Sequence, residues 1–243
     1  MSYLSSKSTF SLLTRSILLF ILFVLIFPLK SFSKDNAEEE SFIIDVYFKD
    51  GTTINGYNRT NFVDGADELE ISTVFNGNAQ KYKSELIDSI VFPPTESDSS
   101  RIVWIPFKAH KAPGGMKSIF SRDPFHKEPI FLKRVFIGKN IIGYTLPTTD
   151  VTGDGYRSQT YWLVNSYYIT EPNLDYAYCY WKSIKGISMT FKAWIKKSFK
   201  QYPEMVQLFK DKTIKKQEFI DNPSIGFLYL DAIISKNTQH EQK

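Results

Sequence analysis

The chain has 243 residues, among them 14 Tyr and 20 Phe, a content that suits sheets and cores and is long enough for one large or two small domains. Lys and Arg number 30 against 26 acids, but three bases (Lys7, Arg15, Lys30) and no acid fall in residues 1–33, so the remainder is almost neutral and nucleic acid loses its electrostatic argument as main partner. The single cysteine, Cys179, excludes an intramolecular disulfide and any lipid anchor built on a cysteine just after an N-terminal apolar run.

Residues 1–15 are polar with two bases, Ser16 to Phe27 is uncharged and apolar, Pro28 breaks the run, and Ser31 and Ser33 stand at the −3 and −1 positions of a cleavage site. This order predicts a secretory signal peptide over 1–33 and an exported protein, periplasmic or secreted. The alternative is a signal-anchored membrane protein, for which the core of about a dozen residues is short against the ~20 of a membrane span.

An acidic leader over 34–41 (Glu38, Glu39, Glu40) precedes a change of pattern. Phe42, Ile44, Val46 and Phe48 alternate with Ile43, Asp45 and Tyr47, the period of a strand. Asp50-Gly51 supplies a hairpin turn, Thr52 to Asn58 a second strand with a bend or bulge at Gly56, Leu69 to Phe75 a third, and Ala79 to Lys83 a fourth. One helical turn over Ser84 to Asp88 leads into a last strand, Ser89 to Phe92. Five short strands in about 50 residues predict a small β-barrel over 42–93. Asp50-Gly51, Gly56 and the closing Leu86-Ile-Asp-Ser-Ile-Val91 resemble SH3-like or Sm-like small barrels, a resemblance that implies a fold and carries no binding residue with it.

Pro93 to Ser100 has linker composition, which sets 94–100 as a boundary before an α+β domain over 101–235. Its expected elements are a strand at 101–107, a long loop at 109–128, a hairpin of 130–137 with 141–146, a loop at 148–158, and strands at 161–169 and 176–184. Beyond Gly186 the period becomes helical: Ile187, Phe191, Trp194, Ile195 and Phe199 share a face opposite Lys192, Lys196, Lys197 and Lys200. Pro203 opens a second helix, Asn222-Pro223 caps a third through about Ile233, and 236–243 reads as a frayed polar tail. The fold class is α+β and β-rich, with helices packed across one side of an antiparallel sheet. The layout resembles exported envelope proteins with a β-rich body and a helical C-terminal end.

Four constellations could carry chemistry. Asp150, Thr152, Asp154 and Gly155 fit positions 1, 3, 5 and 6 of a calcium loop, although position 12 is Tyr161 and not a glutamate, and the flanks read as strands. His110, Asp123 and His126 lie on a long loop and could act as acid–base groups of an extracytoplasmic hydrolase or as metal ligands. Tyr176, Tyr178 and Tyr180 alternate with Ala177, Cys179 and Trp181, so a tyrosine face either packs in the core or is open to a sugar or protein. Ten lysines against Glu204 and Asp211 between Lys182 and Lys216 form a basic segment suited to an anionic surface or a solvated face. No G-x-S-x-G, H-E-x-x-H, C-x-x-C, Walker loop or G-x-G-x-x-G occurs. The expectation is a non-enzymatic exported binding or accessory protein, without cofactor, whose partner is an envelope protein, a glycan or an anionic envelope component. The alternatives are the hydrolase and a calcium-stabilised structural module.

Overall fold

The computed structural model describes residues 43–94, 100–111, 124–152, 160–183 and 191–241. The strands are β1 (Ile43–Phe48), β2 (Thr53–Asn58), β3 (Glu68–Ser72), β4 (Gln80–Lys83), β5 (Ile87–Phe92), β6 (Ile102–Ala109), β7 (Ile130–Ile137), β8 (Ile142–Thr152), β9 (Thr160–Thr170) and β10 (Tyr176–Lys182). Four helices follow: α1 (Phe191–Ser198), α2 (Pro203–Lys210), α3 (Lys216–Asp221) and α4 (Ile225–Glu241). Residues 42–243 cluster as one compact unit.

All ten strands belong to one sheet in the order β10-β9-β8-β7-β6-β5-β1-β2-β3-β4. The first five do not form the regular barrel expected of them. The outer edge of β5 is taken by β6, through Ile90↔Trp104, Val91↔Val103 and Phe92↔Ile102, so the ladder continues past the linker. Trp104 and Phe131 accordingly pack with Ile44, Val46, Leu69, Ile71, Ile87 and Ile90 in one buried cluster. Phe62 stacks on Trp104 at 4.6 Å between centroids.

Local chemistry explains several elements. Ile44 and Val46 are buried while Ile43 and Tyr47 are exposed, as period two requires. Gly51 has φ of +87°, and Asp50 Oδ1 accepts both the Thr52 N–H (2.8 Å) and its hydroxyl (2.6 Å), closing the turn. Gly56 marks a close approach in place of a bulge: it pairs in register with Ile44, and a Cβ there would lie 2.6 Å from the Ser72 carbonyl oxygen. The helical turn before β5 is a 3-10 turn over Ser84–Leu86.

Strands β6 to β10 run as an antiparallel meander whose last member returns to the first. β10 pairs with β6 in parallel at Tyr176↔Lys108 and Ala177↔Ala109. With two residue pairs at that seam the ring is not a regular barrel. Ala109, Ile130, Leu132, Tyr144, Leu146, Tyr168, Ala177 and Cys179 fill one core cluster. Another joins β10 to the helices through Tyr180, Trp181, Trp194, Ile195, Phe199, Met205, Phe219, Phe227 and Leu230. β8 extends to Thr152, beyond the loop expected from 148, because it pairs with β9 without interruption from Ile142↔Thr170 to Thr152↔Thr160. The helix α4 runs to Glu241 where a frayed tail was expected from 236. Among the described residues no helix is long and apolar enough to cross a membrane.

Candidate functional site

The parallel seam sets the surroundings of the histidines. His110 follows Ala109 at the end of β6, and its N–H donates to the Ala177 carbonyl at 2.9 Å. On its other side it forms an antiparallel bridge with Phe125, flanked by His126 N–H to the Ala109 carbonyl (2.9 Å). Residues opposed across such a bridge share a face, and the next residue points the other way. The contacts agree. The His110 ring meets Phe125 edge-on at 4.3 Å and stacks on Tyr176 at 5.3 Å and 10°, with Tyr178 at 5.4 Å. His126 instead lies against the Gly65 turn, where a Cβ would stand 3.3 Å from its Cε1. The structure therefore does not bring the two histidines into one site, and Asp123 lies outside the described residues.

Burial lowers the pKa of His110, and burial followed by the Lys111 charge lowers that of His126, against a smaller upward pull from Asp67. Both side chains thus resist protonation in the fold. Below the unfolded value of 6.5 the unfolded chain takes up protons that the folded chain refuses, so stability falls with pH through the window beneath 6.5 and is flat in these groups above it. Urea midpoints from about pH 7.5 down to about 5.5 should therefore decline, and His126→Gln should flatten the decline. Equal slopes in the two proteins would count against this account.

The tyrosines are engaged from within. Tyr178 Oη donates to the Ser198 carbonyl at 2.5 Å and Tyr180 Oη to the Pro223 carbonyl at 3.0 Å, so both point into the helical layer. Tyr180 is 0% exposed and offers nothing to an external ligand. The expected alternation also breaks: a register shift between Cys179 and Trp181 places Tyr180 and Trp181 in the same helix-facing core, while Cys179 faces the core enclosed by the meander. Tyr176 stacks on His110 and Tyr202 Oη donates to Glu171 Oε1 at 2.6 Å. The outcome is an aromatic seal over the seam.

Burial pushes the Cys179 thiol up to about 12, which keeps it protonated and unreactive. Ellman's reagent at about pH 8 should label it only at the rate of unfolding. Rapid labelling without denaturant would contradict that burial.

Asp150 and Thr152 lie in the β8 ladder, opposite Trp162 and Thr160, whereas Asp154 and Gly155 lie outside the described residues, as do the side chains of Asp150 and Thr152. Among the described residues no three His, Cys, Asp or Glu groups converge as they would around a metal ion.

The lysine segment gives the most developed surface feature. On α1, Trp194 and Ile195 are buried, and Lys192 and Lys196 emerge one turn apart on the exposed side. On α2, begun by Pro203 at a first-turn position, Met205 is buried while Val206 and Phe209 stand half-exposed at the margin. Between these helices and the start of α3 lies a groove of about 350 Å³, floored by Phe191, Ile195, Val206 and Phe209 and rimmed by Lys192, Lys196, Lys210 and Lys216. Phe191 and Phe209 meet edge-to-face at 5.6 Å, and Lys216 Nζ sits 5.4 Å over the Phe191 ring. Among the described residues none of the four rim lysines makes an ion pair. Sequence reading found the lysines but missed α3 and hence the groove. The signal for α3 is the apolar pair Phe219-Ile220 in an otherwise polar six-residue stretch.

No protein-family model, curated protein or solved structure matches the chain.

Proposed function

We propose that the chain is an exported, non-enzymatic binding module of the cell envelope, and that its helical end recognises an anionic envelope component. The observation that carries this reading is the lysine-rimmed apolar groove, whose four ammonium groups have no acidic partner among the described residues. Lys192 and Lys196 repel each other at i, i+4, and Lys192 near the start of α1 opposes the helix dipole. Such an arrangement is unfavourable in the isolated chain and is relieved by an anion. Export is supported by the order of polar, apolar and small residues over 1–33. We further read 43–92 as an open relative of the SH3-like barrels, a reading supported by the strand order β5-β1-β2-β3-β4 and the 3-10 turn before β5.

Expression of the full chain, fractionation and intact mass test export: a soluble envelope or medium species lacking 1–33 is expected, and a full-length membrane species would overturn cleavage. That protein should co-sediment with anionic but not zwitterionic vesicles, less so at high salt. The double substitution Lys196→Glu with Lys210→Glu should weaken binding by about thirtyfold or more, at ~1 kcal/mol per lysine removed from an anionic surface. Binding indifferent to vesicle charge and to both substitutions would overturn the reading.

A further inference from the structure

The rim lysines fix the sign of the ligand, and the whole lining fixes its class. Every described side chain that lines the groove is either hydrocarbon (Phe191, Ile195, Val206, Phe209) or an ammonium on an aliphatic stem (Lys192, Lys196, Lys210, Lys216). Lysine donates and cannot accept. Among the described residues the lining thus holds no side-chain carboxylate, amide or hydroxyl. A sugar or a nucleobase, which must donate hydrogen bonds from O–H or N–H groups, would leave those donors unsatisfied on entering, and an unmade hydrogen bond in a desolvated site is costly. A hydrocarbon tail makes no such demand. A carboxylate or phosphate accepts from several ammonium groups at once.

The dimensions narrow the class further. About 350 Å³ lies at the small end of the range of roughly 300–1,000 Å³ typical of small-molecule sites and is modest for a docked helix. The lysine stems extend the apolar wall outward and hold their charges at its lip, so tail and head are accommodated at different depths.

From this we infer that the groove binds one free, single-chain anionic amphiphile, its hydrocarbon tail against Phe191, Ile195, Val206 and Phe209 and its anionic head among Lys192, Lys196, Lys210 and Lys216. This rests on the reading of the helical end as an anion-binding face and specifies its ligand. The protein then holds a monomeric amphiphile, as a carrier or sensor does, in addition to adhering to charged surfaces.

Equilibrium dialysis of the purified chain tests it, with dodecanoate and dodecyl phosphate below their micelle concentrations and with acetate, inorganic phosphate and dodecyltrimethylammonium as comparisons. Saturable binding of one dodecanoate or dodecyl phosphate per chain is expected, without saturable binding of the short anions or the cationic surfactant. Val206→Phe, which fills the floor and leaves every lysine in place, should weaken dodecanoate by roughly tenfold or more. Lys196→Glu with Lys210→Glu should do the same, and both variants should melt where the parent does. Should Val206→Phe fail to fold, the exposed Lys192→Gln substitution provides an independent measure and should also weaken binding. Absence of saturable binding, equal uptake of the cationic surfactant, or affinity unchanged in the variants would overturn the inference. If anionic vesicles still bind while dodecanoate does not, the amphiphile site falls and the surface reading stands; if neither binds, both fall.

Discussion

Phe219→Ala should lower the free energy of unfolding by about 3–5 kcal/mol, the usual range for truncating a buried phenylalanine. Phe219 is 0% exposed and is the anchor of the six-residue α3. Its ring meets Trp181 at 4.9 Å, Phe209 at 5.0 Å and Phe199 at 6.2 Å. A helix this short has no independent stability, so its position depends on that one insertion. The loss is a large fraction of the ~5–15 kcal/mol that holds a typical domain together. Urea titration followed by tryptophan fluorescence measures it, since Trp181 is in direct contact. A change below about 1 kcal/mol would mean that the α3 contacts carry little energy. Lys216 sits at the head of α3, so amphiphile affinity should fall along with stability, and Phe219→Leu should recover part of both.

Asp231→Ala should cost about 3 kcal/mol, because one carboxylate holds a whole turn and hydrogen bonds to a charged acceptor are worth ~1.5–3 kcal/mol each before water replaces some of them. From α4, Asp231 Oδ1 accepts the backbone N–H of Asn140 at 2.6 Å and of Ile141 at 3.2 Å. Its Oδ2 accepts that of Lys139 at 3.2 Å. The Asp231 carbonyl also accepts from Asn140 Nδ2 at 3.1 Å. These bonds fasten the β7–β8 turn to the helical layer. Gly138 is required for the approach: a Cβ there would lie 2.6 Å from Asp231 Oδ1. Gly138→Ala should therefore destabilise in the same direction, and combining it with Asp231→Ala should cost less than the sum of the two, since the clash with the carboxylate is removed and the one with Phe136 Cε1, at 2.7 Å, remains. Thermal unfolding of the three variants decides this, and strict additivity would refute the coupling.

What could be read from the sequence was what depends on neighbours in the chain. The alternation around Ile44 and Val46, the Asp50-Gly51 turn, and the helical face of Trp194 and Ile195 opposite Lys192 and Lys196 are local patterns, and the structure has them. Pairings between distant segments left no such mark. Pro93 to Ser100 has the composition of a linker, but the strand after it pairs back onto β5. The shift at Cys179 and Trp181 defeats period-two reasoning, because an irregular register sends Trp181 to the side of Tyr180. Asp150 to Thr152 reads as loop by its Asp and Gly neighbours, yet the long ladder with β9 overrides that preference. The groove draws its floor from α1 and α2 and one rim residue from α3, so no single stretch of sequence announces it.

The two-pair seam between Lys108–Ala109 and Tyr176–Ala177 has a bearing on the order of assembly. Every other ladder joins strands adjacent in sequence, except that of β1 with β5, so most of the sheet can zip from short hairpins. The seam must instead bring together segments about 70 residues apart, and closing so long a loop is entropically unfavourable until β7, β8 and β9 have shortened the path. Its closure is therefore expected late in folding, followed by settlement of the helices on Tyr180 and Trp181. A chain ending before Tyr176 would keep β1 to β9 but lack both β10, which carries Tyr180 and Trp181, and the helices that pack on it.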